Sequence, residues 1–254
     1  MKSSTRSAPR RALRVLALAA QLGASVATQS VFAVQTYGAP DIVYLNRCAA
    51  GCMIHLGTDD PANHASSIIN GTYTAAPFAY SDAVFDQVAA CVRDALLPFD
   101  VHVVANDPGQ LMRREIMLTT LSQSIGFTSG ITAQAPFDGS PKPNVIGFVF
   151  ATTLGGDVDK VCEATAFTIG NLYGLDLVTS CADIMSFGTG CGEKSFLNAA
   201  SPCDGAISGS AGHCILGNTT QNSFAVLLNA VGPPQSLFIN SFEGFEVPHA
   251  GPTP

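Results

Sequence analysis

The sequence predicts an α/β chain, written more fully as α+β, on three observations. Short runs rich in β-branched and aromatic residues, Asp41–Asn46 (DIVYLN), Asp100–Ala105 (DVHVVA), Glu115–Leu121 (EIMLTTL) and Asn144–Ala151 (NVIGFVFA), have strand length and composition. Two stretches repeat apolar residues at helical spacing, one after Ser81 and one after Asp157. Strands and helices alternate along the chain, the order that layers a sheet against helices.

Before the first strand, residues 1–33 read as an export signal. Lys2, Arg6, Arg10, Arg11 and Arg14 form a basic start and Val15–Ala24 an apolar stretch, with small residues near 27–33 for cleavage. The apolar run is too short to span a bilayer, and no longer one follows, so the mature chain is expected to carry no membrane span. Cleavage would leave seven basic against nineteen acidic residues, about −12. That charge repels nucleic acid and anionic lipid. A 47% hydrophobic, 12% charged composition likewise argues against a disordered chain.

In chain order, DIVYLN is followed from Gly57 to about Phe78 by a Ser-, Asn-, Gly- and Thr-rich connection that reads as a long loop. Ser81 caps a helix whose apolar positions Val84, Phe85, Val88, Val92 and Leu96 recur on one face, and Pro98 stops it. NVIGFVFA is a continuous apolar run, expected to be central in a sheet. The second helix starts near Asp157, runs through Val161, Thr165, Ile169 and Leu172, and ends at Gly174, a residue suited to the left-handed position past a helix end. Beyond Met185 the chain is Gly-, Ser- and Cys-rich until Thr219 or Thr220 caps a last helix, Gln221–Ala230. This divides residues 34–231 into an α/β lobe, 41–174, and a mostly irregular lobe, 175–231, with 232–254 as a tail.

Eight cysteines, Cys48, Cys52, Cys91, Cys162, Cys181, Cys191, Cys203 and Cys214, all follow the signal. An even number in an exported chain predicts disulfides. Short separations favour Cys48 with Cys52, Cys162 with Cys181, and Cys191 with Cys203 or Cys214. Gly188–Ser195 (GTGCGEKS) has the wrong glycine spacing for a phosphate loop and reads as a loop, and no G-x-S-x-G occurs.

The segment Cys162–Phe187 (CEATAFTIGNLYGLDLVTSCADIMSF) carries the chemistry of interest. Its glycine turn, Gly174-Leu175-Asp176, and the later Asp183-Ile184-Met185-Ser186-Phe187 are similar to the glycine turn and Met-turn of metzincin zinc peptidases. With IVYLNRC, PFDVHV and TGCGEKSF, the pattern from Ile42 to Val231 resembles secreted, cysteine-containing bacterial metzincin-like proteins. The resemblance implies a twisted mixed sheet with a backing helix and an active-site helix, then a Met-turn and a Cys-rich lobe. Metzincins bind zinc through H-E-x-x-H-x-x-G-x-x-H. Aligned on Gly174 and Met185, the first histidine falls on Phe167, the glutamate on Thr168, the second histidine on Asn171 and the third on Leu177.

Phenylalanine and leucine offer zinc no lone pair, an amide is a poor donor, and threonine cannot act as a base near neutral pH. Phe187 stands where many metzincins place tyrosine and lacks its hydroxyl. The resemblance therefore implies a secreted protein, periplasmic or extracellular, without zinc or peptidase activity, which keeps a cleft for a peptide or protein ligand as a binding or decoy module. An apolar plug of Phe167 and Leu177 beside Asn171, closing that cleft, is the competing expectation. A zinc endopeptidase with unusual ligands and a purely structural extracellular protein are the alternatives. Glu163 and Asp176, the nearest carboxylates, read as solvated or structural groups. The tail segment Leu237–Val247 (LFINSFEGFEV) resembles the ends of some exported bacterial proteins.

Overall fold

A computed structural model describes residues 41–234; the signal and tail readings lie outside them. The elements are β1 (Asp41–Asn46), β2 (Cys52–Leu56), β3 (Ala65–Ser66), β4 (Thr72–Ala75), α1 (Asp82–Leu96), β5 (Val101–Val104), β6 (Arg114–Thr119), β7 (Ala133–Gln134), β8 (Val145–Phe150), α2 (Val158–Leu172), β9 (Ser201–Pro202), β10 (Thr220–Gln221) and α3 (Ser223–Val231). The protein is a mixed α/β structure.

The main sheet has the order β5-β1-β6-β8-β7. Its first four strands are mutually parallel, and the two-residue β7 pairs antiparallel with β8 at one edge. β8 is thus next to the edge, and β6 takes the central place expected of it. The continuous apolar run is still explained, because both faces of β8 are covered. Val145 and Val149 face α1 and α2, while Ile146, Phe148 and Phe150 face a second core under β2 and β4. A side chain at Gly147 would meet Thr168 and Ile116, so glycine lets α2 approach the sheet closely.

The helix predictions hold at the caps. Ser81 accepts a hydrogen bond from Val84 N–H and Asp157 from Lys160 N–H. The last helix starts two residues later than expected, because Asn222 supplies the cap through Ala225 N–H while Thr220 pairs in β10. The expected loop from Gly57 to Phe78 contains β3 and β4, which flank β2 in a small sheet.

Four disulfides form: Cys48–Cys52, Cys91–Cys162, Cys181–Cys191 and Cys203–Cys214. The first agrees with the short-separation reading. Pairing of Cys162 with Cys181, and of Cys191 with Cys203 or Cys214, is corrected. Cys162 lies on the face of α2 that packs against α1, so its neighbour is Cys91, 71 residues earlier. Four disulfides suit a secreted protein. Among the described residues no helix is long and apolar enough to cross a membrane.

On the face away from the helices, Glu115 is fully buried. It takes hydrogen bonds from Asn46 and Arg113, and burial pushes its carboxyl above the usual range. Arg113 also donates to Pro61 C=O, tying the sheet to the segment leading into β3.

Candidate functional site

The cleft lies where α2, β7 and the chain after Met185 converge. Its volume is about 580 Å³, within the range of ligand sites. Residues 130–133 form one wall, Glu163, Ala164 and Phe167 of α2 the floor, and residues 186–192 with Lys194 the other wall.

β7 presents backbone to this space. Phe150 N–H donates to Thr132 C=O, and Ala133 and Gln134 stand opposite Val149 and Phe148. In an antiparallel ladder the bonded pairs alternate, so Thr132 and Gln134 turn to β8 while Ala133 turns its N–H and C=O to the open edge. Ala133 lines the cleft accordingly.

Of Phe167, Thr168, Asn171 and Leu177, only Phe167 lines the cleft. It is half-buried, and its ring lies 5.2 Å from that of Phe187, which is 68% exposed. Thr168 is buried, donates to Ala164 C=O and packs toward Gly147. Asn171 is buried and its amide donates to Leu175 C=O at 2.8 Å, bracing the glycine turn. Leu177 is buried and its N–H is held by its neighbour Asp176. Phe167, Asn171 and Leu177 therefore form no common plug: the latter two do not line the cleft, which stays open.

Gly174 has φ +85° just past the end of α2. Met185 is fully buried against Gly170 of α2, with Phe196 beside it. Asp183 fixes this turn: it accepts from Met185 N–H at 3.0 Å and from the Ser223 hydroxyl at 2.8 Å, linking the turn to α3. Burial raises its carboxyl above the ordinary range. Asp176 is buried and structural, accepting from Leu177 and Ile215 N–H, while Gln221 brackets its backbone.

Glu163 is a part-exposed carboxylate held in a structural ion pair, in keeping with its reading as a solvated or structural group. It takes a hydrogen bond from Lys194, whose side chain is 4% exposed and which also donates to Ser186 C=O at 2.8 Å. The pair joins the cleft floor to its glycine-rich wall, which Cys181–Cys191 closes into a loop. Lys194 and β7 were not singled out from the sequence. Only the i, i+4 spacing of Glu163 and Phe167 hinted at a shared face.

The donor set does not fit zinc. Phe167 and Leu177 have no lone pair to give, and the Asn171 amide turns to a backbone carbonyl. Among the described residues no three His, Cys, Asp or Glu side chains converge as a metal group would need. No family model matches the chain, and no curated protein is significantly similar to it.

Proposed function

We propose that this is a secreted protein of metzincin-like fold without peptidase activity, which holds an extended peptide in the cleft between β7 and α2 as a binding or decoy module. Several features support the reading: a mixed sheet with helices α1 and α2 packed on one face, a glycine turn after α2, and a methionine turn packed beneath that helix. The position aligned with the first zinc-binding histidine is Phe167, on the cleft floor.

One observation carries the binding half of the proposal. The outward N–H and C=O of Ala133 open into a cleft whose floor carries Ala164 and the Phe167 ring beside Glu163, so a peptide adding a strand there satisfies both groups and buries side chains over α2. The test is NMR titration of the mature chain with a library of extended decapeptides. Amide shifts concentrated at residues 130–134 and 184–192 are expected. Shifts elsewhere, or none at millimolar peptide, would overturn the reading.

A further inference from the structure

We infer that the cleft selects an aromatic-x-basic motif, an aromatic side chain followed two residues later by Lys or Arg on one face of an extended peptide; this rests on the peptide-binding reading above. Two neighbouring features of the cleft are complementary to it. Phe187 is largely exposed and stands 5.2 Å from Phe167, so the two rings leave an apolar surface on which a third flat side chain can stack. One turn earlier on α2, Glu163 Oε1 accepts from Lys194 Nζ, while no protein donor reaches its Oε2 among the described residues. The Glu163 side chain is 41% exposed and lines the cleft. A cationic side chain completes that carboxylate.

The spacing matches. Glu163 and Phe167 are four residues apart, an axial rise of about 6 Å. Alternate residues of a strand, which point to the same face, are about 6.6 Å apart. α2 follows β8 and packs back along it, so it runs in the same sense as β7, which is antiparallel to β8. A peptide added antiparallel to β7 therefore passes Phe167 before Glu163, which sets the order aromatic first, basic second. The formal charge of −7 on the whole chain favours approach of a basic ligand.

The experiment uses the mature chain and a labelled, acetylated and amidated peptide, Thr-Val-Phe-Thr-Lys-Val-Thr, read by fluorescence anisotropy. Controls replace Phe by Ala, replace Lys by Glu or Gln, exchange Phe and Lys, or place them side by side. The parent is expected to bind at least about fivefold more tightly than each control, with the Lys-to-Glu peptide weakest.

Glu163→Gln keeps an acceptor for Lys194 but loses the charge. It should weaken the parent about tenfold while changing the Lys-to-Gln peptide by less than about twofold. Phe187→Ala, at an exposed position, should weaken the parent about three- to tenfold with the melting temperature unchanged. Equal binding of parent and controls, with shifts still at the cleft, overturns the motif and leaves the peptide reading standing. Absence of binding by every peptide overturns both.

Discussion

Replacing Gly174 by alanine tests whether the chain turns after α2 as described, and the structure supplies its own control. At φ +85° an alanine Cβ would stand 2.8 Å from Gly139 O, 3.1 Å from Gly139 C and 3.1 Å from Ser140 C, all backbone atoms that cannot swing aside. Gly217 has nearly the same backbone, φ +88°, with nothing within 4 Å of its added Cβ. Both substitutions incur the left-handed conformation, about 1–2 kcal/mol, and both stiffen the unfolded chain alike. Only Gly174→Ala adds overpacking, about 1–3 kcal/mol. The difference, near 2 kcal/mol, corresponds to roughly 4–8 °C in melting temperature for a domain of this size. Thermal and urea unfolding with disulfides intact, followed by circular dichroism, measures it. Equal losses for the two variants would refute the close approach of residues 139–140 and with it the path of the chain into Leu177 and the methionine turn.

Peptide mapping without reduction should recover the four disulfides as paired above and no free thiol. Removing Cys91–Cys162, which ties α1 to α2, should cost about 2–5 kcal/mol, whereas exposed Cys181 should make Cys181–Cys191 the first bridge trapped by alkylation under mild reductant. Because Phe167 is half-buried, Phe167→Ala should cost about 1–2 kcal/mol, below the 3–5 kcal/mol of a fully buried phenylalanine; a cost above about 3 kcal/mol in chemical denaturation would mean a closed cleft. Burial raises the Asp183 carboxyl, so the folded state holds that proton more firmly than the unfolded state. Its contribution to stability is therefore greatest below the ordinary aspartate value and declines as pH rises through the raised one. Asp183→Asn should flatten this part of the stability profile between pH 3 and 7, and an unchanged profile would exclude Asp183 as its source.

The helices were legible because local physics decides them: Ser81 and Asp157 accept from the third residue of their helices, and the apolar positions of α1 fall on the buried face. The small sheet was not. β2 alternates buried Cys52 and Ile54 with exposed Met53 and His55, yet the signal lasts five residues beside a glycine and a disulfide. β7 spans two residues, too few for any periodicity, and its importance comes from lying on the sheet edge, a long-range property. Cys91 and Cys162 were beyond a reading based on separation, since helix packing brings them together. At the site, the absence of an imidazole or carboxylate at Phe167, Thr168, Asn171 and Leu177 could be read from the sequence alone. Where those side chains point could not: burial sends Asn171 and Thr168 to backbone partners and leaves only Phe167 on the cleft.

Zinc stoichiometry tests most directly the proposal that this metzincin-like fold works without a metal. The mature protein is to be incubated with excess zinc, exchanged into zinc-free buffer and assayed by elemental analysis, with melting temperature recorded before and after chelator. Zinc far below one equivalent per chain is expected, with a melting temperature indifferent to the chelator, because Phe167, Asn171 and Leu177 provide no imidazole. One tightly held zinc per chain, whose removal lowers the melting temperature, would contradict it.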